Sequence, residues 1–231
     1  MREIVFDTET TGLSFPGGDR MVEIGCVELV HRVETGVTFH AYYHPERDMP
    51  QEAFAVHGLS AAFLADKPRF HEAVDDLIAF LGDAPLIAHN AGFDFAFLNG
   101  ELTRCRRDPV CHRTRMVDTL QIARQRHPGA KHTLDALCSR YGIDRSHRVL
   151  HGALLDAQLL AQVYVELLGG RQIGLGLVSD APVAAAGPVA AKTPRVVRPP
   201  RIFAASEGEL AAHAAFMKRI DDPIWGAAAS G

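Results

Sequence analysis

The stretch "IVFDTETTG", residues 4–12, begins as an apolar run suited to a buried strand and then places two carboxylates, Asp7 and Glu9, two positions apart. Residues so spaced on a strand project to the same face, which would set the two acids about 7 Å apart. Like charges that close repel unless a cation lies between them. Oxygen ligands favour a hard divalent ion such as Mg²⁺ or Mn²⁺. The plain alternative is a pair of solvated acids at a strand end.

Outward from this stretch, pattern predicts strands at 2–7, 21–30 and 36–43, separated by the turn segments "SFPGGD" and "HRVETG". Three early strands with short links imply an antiparallel meander. The pattern then changes to helices at 68–81, 92–106, 118–127, 133–140 and 152–168, with short strands at 85–89 and 115–118. This is an α/β layout around a mixed sheet. The periodicity stops at Gly169-Gly170, which sets a first domain at 1–170. Residues 178–203 read as a flexible linker, because a stretch dense in Pro and Ala that carries Lys192, Arg195, Arg198 and Arg201 cannot bury enough surface to fold. In the final segment, 204–231, Ser206 and Glu209 make an S-x-x-E capping box. Leu210, Ala214, Met217 and Ile220 follow on one helical face, and Asp222-Pro223 ends the helix.

Bulk properties narrow the function without naming it. A chain of 231 residues with 47% hydrophobic content can build a sizeable core, and a net charge of −4 gives no general attraction to a polyanion. Any nucleic-acid site must therefore be local or neutralised by bound cations. Four cysteines with no CxxC pair point to a reducing, cytoplasmic setting. Cys105, Cys111 and His112, with His127 or His132, match no zinc-ligand spacing. The amino terminus runs from Arg2 and Glu3 directly into a strand, so no signal peptide is expected. The Ala/Val-rich stretch 181–191 is broken by Pro and Gly, so no membrane span is expected.

Two further stretches carry acids at element boundaries. In "AHNAGFDFAFL" (88–98), Asn90 suits a helix N-cap and Asp94 falls in the first turn, where the helix dipole favours an anion; Phe93, Phe97, Leu102 and Cys105 supply the packing face. In "HGALLDAQLLAQVYVELL" (151–168), Asp156 shares a face with Leu160, Val163 and Leu167, so its carboxylate points towards the core. There it needs a cation, a hydrogen-bond network or a proton. His151 precedes Gly152 and is expected on the loop entering that helix, within reach of a site that Asp156 also lines. Asp118, at the step "MVDTLQ", reads as an N-cap.

Taken together, "FDTETTG", "HNAGFD" and "HGALLDA" resemble, in order, spacing and structural context, the motifs of the DEDDh exonucleases, a proofreading superfamily with an RNase H-like fold. The resemblance covers residues 2–168. It implies that Asp7, Glu9, Asp94 and Asp156 hold two divalent ions and that His151 is the general base, a role suited to a group that titrates near neutrality. It also implies that Thr10, Thr11 and Leu13 hold the 3′-terminal nucleotide and that Glu52 and His57, in "EAFAVHG", face it. Phe93 is placed to stack on a base.

The extension resembles that of the epsilon (proofreading) branch. "RQIGLGL" (171–177) sets Gln172, Leu175 and Leu177 in the Q-x-x-L-x-L pattern of peptides that dock on the sliding clamp. The 204–227 segment is similar to the tail that holds the catalytic subunit of DNA polymerase III, with Leu210, Met217 and Trp225 as candidate anchors. The implied activity is removal of nucleotides from a DNA 3′ end as 5′-monophosphates. An RNA-trimming exonuclease, and a binding module that bridges polymerase and clamp, remain open at this point.

Overall fold

A computed structural model describes residues 1–110, 112–146, 150–170 and 205–220. The chain divides into two units, Met1–Leu177 and Val178–Gly231. In chain order the first holds β1 (Arg2–Thr10), β2 (Met21–Val30), β3 (Val33–Tyr42), α1 (Gln51–His57), α2 (Ala61–Leu64), α3 (Phe70–Leu81), β4 (Leu86–Ala88), α4 (Gly92–Arg104), α5 (His112–Arg115), β5 (Met116–Asp118), α6 (Thr119–Arg126), α7 (Leu134–Tyr141) and α8 (Ala153–Leu167). The second holds α9 (Glu207–Met217).

The five strands form one sheet in the order β3-β2-β1-β4-β5. β1 is central, antiparallel to β2 and parallel to β4, so the expected meander and mixed sheet are both present. β1 extends three residues beyond its predicted end, which brings Glu9 into the strand. β3 starts three residues early, because the β2–β3 link is a two-residue turn. Its central residues, His31 and Arg32, both have positive φ, at 53° and 65°, the geometry that matches strand twist in tight hairpins. The short helices α1 and α2 were not foreseen.

Alternation along β1 assigns each face its helices. Even positions Ile4 and Phe6 join α3 and α4 in one core, with Phe6 edge-on to Phe95 at 5.7 Å between ring centroids. Odd positions face α8: Val5 packs with Ala157, Leu160 and Ala161, and Tyr164 Oη donates to Glu3 Oε1 at 2.8 Å. Asp7 and Glu9 continue that odd series towards the amino-terminal end of α8. α6 and α7 pack against the far side of α8 through Ala123, Leu137, Leu159 and Val163. A buried ion pair braces the opposite layer: Arg20 Nε and Nη2 donate to Glu101 Oε1 and Oε2 at 2.7 and 2.8 Å.

In the second unit, Ser206 and Glu209 form the expected capping box, and α9 has no buried residue. Leu210 is exposed and Met217 is half-buried at the helix end. Gln172, Leu175, Leu177, Trp225 and the 178–203 linker lie outside the described residues.

Candidate functional site

The site lies where the carboxyl ends of the parallel strands β1 and β4 meet the amino-terminal ends of α4 and α8, the position at which open α/β sheets usually bind ligands. A cleft of about 660 Å³ opens there, lined by Asp7, Glu9, Phe93, Asp94, His151 and Asp156 among others. Asp7 and Glu9 come from β1, at a register shift between Glu9 and Thr10 that ends regular pairing with β2. Asp94 comes from the first turn of α4 and Asp156 from the first turn of α8. Four acids from three elements therefore face one space, with His151 beside them.

Two routes anchor the acids. Thr8, on the opposite face of β1 from Asp7, donates its hydroxyl to Asp94 Oδ1 at 2.8 Å in a buried contact. On the α8 side, His151 Nδ1 lies 3.2 Å from Asp156 Oδ2. Glu9, His151 and Asp156 each offer a ligand atom within 4.8 Å of the other two. Asp7 and Asp94 are outside that tight group but share its cleft.

The electrostatics are unfavourable for bare carboxylates. Asp7 is held well above the ordinary carboxylate range, first by removal from water and then by the charges of Asp94, Glu9, Asp156 and Glu23. Asp94 is pushed up to about 7 by burial, partly opposed by its Thr8 hydrogen bond. A hard divalent cation satisfies these acids without protons, and an all-oxygen donor set with one adjoining imidazole fits such an ion. Of the residues considered for a zinc site, Cys111 and the side chain of His112 lie outside the described residues.

The residues expected near the nucleotide lie outside the lining of this cleft, Phe93 excepted. The Thr10 hydroxyl donates to Gly12 O at 2.6 Å; that of Thr11 donates to Asp19 Oδ1 and accepts from Arg20 N–H, so both brace their own loop. Leu13 at the loop tip is 86% exposed. Glu52 is exposed in the first turn of α1, and His57, at its end, is buried, with Nδ1 accepting from Leu59 N–H at 3.0 Å. Phe93 packs against Phe97 while facing the cleft.

The expected Asn90 cap is a correction. Ala91 precedes α4, with no side-chain cap, and Asn90 sits in the left-handed region at φ 61°, a conformation asparagine tolerates. Its amide donates to Asp118 Oδ1 at 3.0 Å, and the same oxygen accepts from Leu120 N–H at 2.9 Å. Asp118 thus caps α6 as expected and also fixes the α4 approach.

Several lining residues went unforeseen. His89, Arg124 and His132 add ionisable side chains to the lining. His89 is the first residue of the "HNAGFD" stretch, but nothing in that motif marked it as a lining residue. Arg124 and His132 come from the α6–α7 layer, whose proximity no local pattern reports. Thr8 was overlooked between two acids, and Gly25 on β2 gave no signal at all.

The exonuclease family RNase_T matches residues 4–164. The chain belongs to this exonuclease family. It is 48% identical over 222 residues to "DNA polymerase III subunit epsilon" of Rickettsia conorii, covering 95% of this chain and 96% of the relative. It is 47% identical over 176 residues to the Escherichia coli protein of the same description, covering 74% and 72%. The nuclease domain of 3′hExo, described as a DEDDh family member bound to rAMP, superposes with a TM-score of 0.63 at 19% identity, over 72% of this chain and 91% of that one, which confirms the RNase H-like fold.

Proposed function

We propose that this chain is a 3′→5′ exonuclease that acts on the DNA 3′ end as the proofreading subunit of the bacterial replicative polymerase, DNA polymerase III, in the cytoplasm. The observation that supports this most is the convergence of Asp7, Glu9, Asp94, Asp156 and His151 on one cleft. The kinship with epsilon subunits favours DNA over the RNA-trimming alternative.

In this reading the four carboxylates hold two Mg²⁺ or Mn²⁺ ions. When bound, such ions polarise the scissile phosphate and ease deprotonation of the attacking water. His151 directs Nδ1–H to Asp156 Oδ2, so Nε2 carries the lone pair that takes the water proton. The water oxygen forms the new bond to phosphorus, the bond from phosphorus to the 3′ oxygen breaks and that oxygen takes a proton from solvent, and a 5′-monophosphate leaves behind a new 3′ hydroxyl. Thr10, Thr11 and Leu13 hold the terminal nucleotide from one side and Glu52 and His57 from another, while Phe93 offers a ring for stacking.

The division into a nuclease domain (1–170), a clamp-binding motif (171–177, through Gln172, Leu175 and Leu177), a linker (178–203) and a polymerase-binding segment (204–231, through Leu210, Met217 and Trp225) completes the proposal. It is supported by α9, a capped helix of eleven residues with no buried side chain, which is short for independent stability in water and gains by packing on a partner. The Rickettsia relative also extends across most of this tail. A tether of this kind raises the local concentration of nuclease at the primer end.

Asp7→Ala and deletion of 171–231 test the assignment together. The first should abolish hydrolysis of single-stranded DNA and keep polymerase and clamp binding. The second should do the reverse, and loss of nuclease activity on truncation would refute the domain division. Faster cleavage of short RNA than of mismatched DNA primers would instead favour the RNA-trimming reading.

A further inference from the structure

His151 stands on the short lead-in to α8, and that lead-in is bound back to α1. The His151 amide donates to Val56 O at 3.3 Å. Beside it, Leu150 is 51% exposed, yet its Cδ1 reaches into the space above Gly58. A Cβ at position 58 would lie 2.6 Å from that Cδ1. Gly58 is also the C-cap of α1 at φ 73°, a backbone turn that favours a residue without a side chain, and its bare Cα leaves the space that the leucine tip fills. The His151 side chain is itself about half exposed, at 48%, so burial of the ring supplies only part of its placement.

α1 is the segment that carries Glu52 and ends at His57. The contacts at Leu150 and Val56 therefore join the histidine to the helix that faces the terminal nucleotide. We propose that Leu150, docked over Gly58, is a positioning residue that holds the His151 imidazole at the cleft and couples its placement to α1. The inference rests on the reading of His151 as the general base. A half-buried leucine biases a two-state loop by about tenfold, so removing it should raise the ratio of undocked to docked lead-in by about that factor. The four carboxylates stand on β1, α4 and α8 rather than on this lead-in, so divalent-ion affinity should move less than the rate.

The test combines amide exchange with a double-mutant cycle. In metal-free protein, NMR exchange of the His151 amide should be about tenfold faster in Leu150→Ala than in wild type, and Leu150→Met should restore protection. In kinetics, Leu150→Ala should lower kcat about twofold or more with KM unchanged and Mn²⁺ affinity moved less than the rate, and should cost nothing further in a His151→Ala background. Unchanged amide protection in Leu150→Ala, or the same loss with and without His151, overturns the proposal. A His151→Ala enzyme of full rate would refute the base assignment instead; the strap itself is then still judged by the exchange of the His151 amide in Leu150→Ala.

Discussion

Gly25 pairs directly with Asp7 across β1 and β2 and lies on the face against which α8 packs. A Cβ at this position would stand 2.2 Å from Leu154 N, 2.3 Å from Leu154 Cα and 2.4 Å from Ala153 C. All three are backbone atoms of the first turn of α8, so no side-chain rotation can relieve the clash. Restoring ordinary contact in Gly25→Ala requires the strand and helix to separate by about 1 Å or more. Asp156 lies two residues beyond Leu154 and moves with it, away from Asp7 and Glu9. Metal–oxygen bonds of about 2.0–2.1 Å for Mg²⁺ do not stretch over such a shift, and a displacement of about 1 Å from reacting geometry costs on the order of 100-fold in rate. We therefore expect Gly25→Ala to lower kcat on labelled single-stranded DNA by about 100-fold and to weaken Mn²⁺ binding, read by calorimetry. Overpacking should cost about 1–3 kcal/mol of stability in urea. Gly36→Ala is the control: φ there is 82° and no atom lies within 4 Å of the added Cβ, so it strains the backbone far from the cleft. Wild-type rate and Mn²⁺ affinity in Gly25→Ala, or equal activity losses in the two variants, would refute the argument that this glycine admits α8 to the site.

Three more outcomes follow from the geometry. Asp94, raised from an ordinary value of 3.8 to about 7, binds its proton more tightly when folded, and Asp7 shifts in the same direction. Their contribution to metal-free stability is thus full below about pH 4 and is lost as pH rises through about 7; melting in EDTA should show this decline, and excess Mg²⁺ or Asp94→Asn should flatten it. Thr8→Val removes the donor to Asp94 Oδ1 and should weaken Mn²⁺ binding about tenfold, measurable by electron paramagnetic resonance titration. Arg20→Met leaves Glu101, which is fully buried, without its bidentate partner and should cost about 3–5 kcal/mol in urea unfolding while leaving the metal affinity of the residual folded protein unchanged.

The outline of the fold was legible because its elements announce themselves locally. The β1 run, the meander turns and the apolar stripe around Asp156 each follow from periodicity within a few residues. The misses came where tertiary contact overrides local chemistry. Asn90 has the chemistry of an N-cap, but Asp118, from the neighbouring strand end, binds its amide and leaves Asn90 in the left-handed region. α1 and α2 are too short for a helical period to declare itself.

By itself the sequence determined which acids stand at element boundaries and which elements present them, because motif, alternation and helix phase are properties of neighbouring residues. Only the tertiary structure decided that β1, α4 and α8 bring those acids to one cleft, that Gly25 lets a helix backbone close on the sheet, and that the His151 lead-in is tied to α1. These facts depend on distances between segments far apart in the chain, which are set by how side-chain volumes pack against one another and leave no trace in local pattern.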